Sequence, residues 1–133
     1  MAAVDSAQAS SVLAAMLAQS TAGATTGIKT RLTTNIPTAT SGSGTQLTGS
    51  GYTAGGTLTA WNAPSAGATS NTTVLTWTNG SGSSWMIAGL ELWDEAGTPL
   101  RWFYGEWNGG VAVSVGASNT FQVAAGGIEI TLS

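Results

Sequence analysis

Six carboxylates and three cations are all the charged chemistry in this chain of 133 residues. Four of the acids, Glu91, Asp94, Glu95 and Glu106, fall within one short stretch. Two acids held ~5–9 Å apart can cleave a glycosidic bond, and Trp85, Trp93, Trp102 and Trp107 in the same stretch could stack on sugar rings. The same acids also have plainer uses. Asp94 and Glu95 open the run DEAGTP, where acidic residues are ordinary turn formers. Glu91 can pair with Arg101 across the strands that flank this turn. The structural roles outweigh catalysis. Loop carbonyls beside Asp94 and Glu95 could hold Ca²⁺, but the EF-hand pattern is absent. The chain has no Cys and no His, which removes thiolate and imidazole ligands, disulfides, and the usual nucleophile–base pairs. No GxSxG elbow is present, and the Gly-rich stretches lack a P-loop Lys. The expectation is no enzyme, no metal and no cofactor.

The tryptophans carry the second chemical question. There are six, Trp61, Trp77, Trp85, Trp93, Trp102 and Trp107. Flat aromatic faces suit polysaccharide, but each large aromatic also buries ~150–250 Å² in a core or a subunit contact. Packing is the stronger reading, and sugar binding is the rival. Trp61, Trp93 and Trp107 are the aromatic candidates for partner contact.

The elements that would position these residues centre on residues 85–107. Two apolar runs, 85–93 and 100–107, flank the turn, which reads as a β-hairpin with a short loop. An isolated hairpin could not cover so much aromatic surface, so other strands must pack over it. Before it, residues 28–34 alternate Ile28, Thr30 and Leu32 with Lys29, Arg31 and Thr33, a strand with one wet face. The Ser/Gly/Thr-rich stretch 38–56 reads as a loop. Leu47 and Tyr52 argue that parts of it lie on the domain. Short strands follow at 57–62 and 74–78, with an edge-like segment at 68–73. After the hairpin come strands at 111–115, 120–124 and 128–132. About eight short strands with turn signals every 8–12 residues indicate an all-β, antiparallel β-sandwich, jelly-roll or Ig-like.

Residues 1–27 differ from the rest, and the chain divides into an arm, 1–27, and a β domain, 28–133. Asp5 and Gln8 have capping-box spacing, and Val12, Leu13, Met16 and Leu17 form an apolar stripe. A short α-helix over 6–19 is expected. It docks on its own domain or on a neighbouring subunit, with those four residues as the anchors.

Net charge is −3. Three basic residues cannot supply the clustered Lys/Arg that nucleic acid demands, and a basic membrane-surface helix is excluded likewise. No apolar run approaches ~18 residues, and no Lys or Arg precedes Lys29, so the basic start of a signal peptide is missing. The expected partners include neither nucleic acid nor membrane, and the chain is expected to be made in the cytoplasm without processing, apart from loss of Met1.

From Ile28 onward the chain resembles a family of small tailed-phage virion proteins, common in actinobacterial phages and labelled tail-fibre or head-decoration proteins. Leu32-Thr33-Thr34-Asn35-Ile36-Pro37 resembles a family strand end, with Thr33 where many relatives have His. Thr48-Gly49-Ser50-Gly51-Tyr52 is similar to a glycine-rich stretch ending in Tyr. Ala68-Thr69-Ser70-Asn71-Thr72 resembles a small-residue run into an apolar strand. Gly89-Leu90-Glu91-Leu92-Trp93-Asp94 resembles a glycine–aliphatic–Trp–Asp segment. Two stretches, 115–121 and 125–130, are similar to the closing strands. Residues 1–27 have no family counterpart. The resemblance implies a β-sandwich virion component. The expected function is capsid decoration on the outer surface of a phage head. The partners would be the major capsid protein and copies of the chain itself, a trimer being the favoured oligomer. A tail-fibre or tail-tip module contacting the host envelope, with carbohydrate as a ligand, is the alternative.

Overall fold

The computed structural model describes residues 28–40, 42–94 and 98–132. They form a β-rich fold in which every strand pairing is antiparallel. Strands β1 (Lys29–Thr33), β2 (Thr57–Leu58), β3 (Ala68–Ser70), β4 (Leu75–Thr78) and β5 (Trp85–Ile87) lead to β6 (Gly89–Trp93). Then follow β7 (Arg101–Glu106), a turn of 3-10 helix at Asn108–Gly110, β8 (Val113–Val115), β9 (Thr120–Val123) and β10 (Glu129–Thr131). The helix expected over 6–19, with Val12, Leu13, Met16 and Leu17, lies outside the described residues, as does Glu95.

The pairing is nested. The β6–β7 hairpin is the innermost pair, and β5 with β8, β4 with β9 and β3 with β10 follow outward. Leu90 faces Gly105, Trp85 faces Val115, Leu75 faces Val123 and Ser70 faces Glu129. The chain from Ala68 to Thr131 is therefore one long double ribbon, broken by turns, with its tip between Asp94 and Leu100. The inner hairpin joins β1 and β2 in a four-stranded sheet of order β2-β1-β6-β7.

The expected hairpin of 85–93 against 100–107 holds only for its inner half. Residues 85–93 are two strands, not one. Trp85 and Ile87 are buried while Met86 is 44% exposed, and beyond Ala88 the even positions Leu90 and Leu92 turn inward. Ala88 donates its N–H to Thr33 O and accepts from Trp107 N, so its backbone stitches the ribbon where it changes partners. The expected strand over 57–62 is shorter too. It pairs only at Thr57 and Leu58, with an isolated bridge at Trp61.

Alternation builds two apolar clusters. The larger joins Leu32, Leu90, Trp77, Trp85, Ile87 and Phe121 among others, with Leu47 and Tyr52 from the long loop. The smaller joins Ile28, Leu92 and Ile130, with Trp61, Trp102, Phe103 and Leu132 packed on it. Where the ribbon breaks, asparagines replace ladder bonds. Asn79 is fully buried; its Nδ2 donates to Ser83 O and Val115 O at 2.8 Å each, and its Oδ1 accepts from Ser81. Asn71 does the same between β3 and β4, donating to Thr73 O and Ala124 O and accepting from Ile128 N.

Candidate functional site

Residues directly opposite in an antiparallel sheet share a face. In the four-stranded sheet Arg31 lies opposite Glu91, and Lys29 opposite Trp93. Glu91 in turn lies opposite Tyr104, and Trp93 opposite Arg101 across a bulge. All three basic residues of the chain thus stand on the sheet face that looks away from Leu32, Leu90 and Leu92. The expected cross-strand pair is present: Arg101 Nη1 meets Glu91 Oε2 at 2.7 Å, and both side chains are buried. Glu91 Oε1 accepts from Trp93 Nε1 at 3.3 Å, and Arg101 Nη2 donates to Thr38 O at 2.6 Å. The Arg31 guanidinium lies 4.1 Å from the centre of the Trp93 ring, and that of Arg101 lies 4.4 Å from the Tyr104 ring.

Of the candidate acids, Glu91 is committed to these bonds, whereas Glu106 stays exposed. A Cβ on Gly44 would lie 2.7 Å from the Glu91 carboxyl, so the long loop seals it. Asp94 is buried. Its Oδ2 accepts from Trp102 Nε1 at 2.9 Å and its Oδ1 from Leu100 N at 3.0 Å. It holds the hairpin tip instead of facing a substrate. Among the described residues no group of three metal-ligating side chains is found.

The three candidate tryptophans do not converge. Trp93 stands on the polar face. Trp61 packs on the Ile28 cluster, with its indole N–H buried and without an acceptor. Trp107 packs on the larger cluster, edge-on to Phe121 at 5.5 Å.

A cleft of about 360 Å³ opens between β7 and β10. Leu90, Leu92, Phe103, Trp107, Ile128 and Ile130 supply its apolar lining, and the exposed carboxylates Glu106 and Glu129 also line it. β7 is an edge of the four-stranded sheet, and β10 pairs with β3 alone among the described strands. Sequence reading missed this cleft because its two walls lie far apart along the chain. The one signal available was the pair of facing apolar parities, Phe103/Trp107 and Ile128/Ile130.

No family model, no curated protein and no solved structure matches the chain.

Proposed function

We propose that the chain is a structural component of a tailed-phage virion that works by adhesion, covering the outer lattice of the head as a decoration protein. One observation carries this reading. Glu91, Asp94 and Arg101 are spent inside the fold, while large apolar side chains face solvent: Val111 65%, Leu58 59%, Leu100 57%, Val74 54% and Ile36 45% exposed. Single exposed apolar residues are ordinary. Their number beside so little charge supports surfaces meant to be covered by protein, as lasting interfaces are more apolar than free surfaces. Ile36 and Gly110 are close neighbours, since a Cβ on Gly110 would lie 3.2 Å from Ile36 Cδ1. Ile36 and Val111 would therefore contribute to one such contact.

The finer fold belongs to the same reading. Eight strands paired outermost with outermost and innermost with innermost are the arrangement that winds into a two-sheet jelly roll. The nested ribbon supports that architecture, with the two apolar clusters as its filling. Copies set around a symmetry axis, a trimer in the favoured case, would bury the exposed residues against each other and the major capsid protein. By binding the assembled lattice and not free subunits, they would stabilise the shell through mass action.

A tail-tip module that grips host-envelope carbohydrate is the second reading. The cleft favours it, with Trp107 and two exposed carboxylates beside an apolar floor. Counting copies in purified virions by quantitative mass spectrometry separates the two. Copies on the order of hundreds, located on heads, match a lattice that repeats one contact. A few copies on tails would replace the head reading with the tail reading, and absence from particles would remove both.

A further inference from the structure

We infer that Asn108 is a self-modifying site: with Gly109 it closes a cyclic imide, sheds its side-chain amide as ammonia and becomes a carboxylate. The inference is independent of what the protein covers. The Gly109 nitrogen bonds to Asn108 Cγ, the Cγ–Nδ2 bond breaks, and ammonia leaves with the proton that the Gly109 nitrogen gave up. Water then opens the imide at either carbonyl, leaving an aspartyl or an isoaspartyl residue. Glycine lacks the Cβ that would crowd this approach. The chain has two such pairs, Asn79-Gly80 and Asn108-Gly109. Asn35, Asn62, Asn71 and Asn119 precede Ile36, Ala63, Thr72 and Thr120, whose side chains hinder the attack. The two glycine pairs are alike in sequence, so the fold must separate them.

It blocks the first pair at each atom the reaction needs. Gly80 N donates to Ser50 O at 2.8 Å, so the attacking nitrogen is occupied. Asn79 is fully buried, and its leaving Nδ2 is held by Ser83 O and Val115 O. A Cβ on Gly80 would lie 2.9 Å from Ser50 Oγ, which leaves little space for an imide or for the water that opens it. The second pair is open at the same atoms. Asn108 and Gly109 are exposed, and Gly109 N has no acceptor among the described residues. The Asn108 amide makes one bond, to Val111 O at 3.3 Å, longer than a well-formed bond. A Cβ on Gly109 would meet nothing within 4 Å. The turn buries no residue, and Asn108 stands at φ +53°, a region costly to residues other than glycine. An exposed turn of this kind opens locally at little free energy, and opening lets Gly109 N reach Cγ. The turn itself calls for the reactive pair, because positive φ at successive residues favours Asn-Gly. The product adds one negative charge to a chain of net charge −3. It arises beside Gly110, where a Cβ would lie 3.0 Å from Glu106 Oε2 and 3.2 Å from Ile36 Cδ1. An anion therefore appears next to an existing carboxylate, at the edge of the exposed apolar pair Ile36 and Val111.

Ageing the purified full chain in mildly alkaline buffer tests this, with every asparagine followed by peptide mapping and tandem mass spectrometry. In the folded chain, conversion at Asn108 should run at least about tenfold faster than at Asn79, which reacts only after a much larger opening. A more acidic species should grow on ion exchange, in step with released ammonia. In unfolding urea the two pairs should convert at similar rates, because the protection of Asn79 belongs to the fold. Asn108→Gly keeps the positive φ without strain. It should remove nearly all of the acidic species and the ammonia, with a thermal midpoint close to that of the wild type. Equal rates at Asn79 and Asn108 in the folded chain would overturn the inference. So would an Asn108 that stays intact when folded while both pairs convert in urea. An acidic species that persists in Asn108→Gly and maps to another asparagine would overturn it as well.

Discussion

Single side chains decide where this ribbon breaks and where it holds. Asn79 satisfies two carbonyls with one amide, a task that neither a ladder bond nor a water-exposed turn performs at that buried position. Asn79→Ala should leave Ser83 O, Val115 O and Ser81 N without partners, at a cost of about 3 kcal/mol. The midpoint of thermal unfolding should fall by roughly 10 °C. Asn79→Asp should be equally damaging despite its matching shape, because an oxygen would then face both carbonyls. If Asn79→Asp melts with the wild type, the amide donors are not what holds the break. Tyr52 gives a pH signature. Burial, the largest cause, raises its phenol above the ordinary value of 10.0. Its hydroxyl accepts from Leu32 N and donates to Gln46 Oε1. The unfolded chain loses this proton first as pH rises. Stability is therefore fully present below pH 10 and declines as pH climbs from there through the raised folded-state value. Tyr52→Phe should flatten that alkaline decline in urea titrations while lowering stability at neutral pH by about 1–3 kcal/mol, as Leu32 N loses its acceptor. An unchanged alkaline slope would show that another group controls it.

At the scale of elements, the strand beginning at Lys29 was legible because its alternation is uninterrupted, and Glu91 opposite Arg31 and beside Arg101 confirms the pairing expected across the hairpin. The split of 85–93 was harder to read. A nearly continuous apolar run shows no break, yet the buried parity jumps from Trp85 and Ile87 to Leu90 and Leu92, and only a change of sheet partner at Ala88 reconciles them. The cleft was illegible for another reason: the placing of β7 opposite β10 follows from the folding back of the ribbon, and no local pattern encodes that. The Glu91–Arg101 pair ties these elements together, and its energetics follow from burial. Arg101→Leu should cost about 3–5 kcal/mol, because it strands a carboxylate that is 2% exposed. Glu91→Leu combined with Arg101→Leu should cost less than that single change, since both charges leave together. Chemical denaturation of the three proteins measures the difference. A double variant less stable than Arg101→Leu would mean that the pair contributes more than the desolvation it requires. Of the glycines described, Gly51 lies closest against neighbouring backbone. It sits at φ +94°, and a Cβ there would lie 1.9 Å from Thr78 O. Gly51→Ala must therefore push the long loop off β4, and Tyr52 with it, which should expose Trp fluorescence to acrylamide quenching.

For the molecule as a whole, nested pairing imposes an order on folding. The β6–β7 hairpin closes across the few residues between Asp94 and Leu100, whereas β3 meeting β10 first would enclose everything between Ser70 and Glu129. Closing entropy grows with the length of chain enclosed, so zipping from the tip outward keeps each new closure short. Leu92 and Ile130 make a matched pair of probes. Both are nearly buried, at 3% and 6% exposure, and both belong to the same apolar cluster, yet Leu92 lies in the innermost pair and Ile130 in the outermost. Truncating either to Ala should cost about 2–5 kcal/mol at equilibrium, enough for a dependable kinetic ratio. Leu92→Ala should act mainly on the folding rate, with φ about 0.5–0.8. Ile130→Ala should leave folding almost unchanged and accelerate unfolding, with φ about 0–0.3. Because the two side chains share one environment, a difference between them cannot come from burial and must come from when their strands pair. Equal φ values in stopped-flow chevrons, or a higher value at Ile130, would mean that the ends of the ribbon meet first and that the hairpin tip is a consequence of the fold instead of its nucleus.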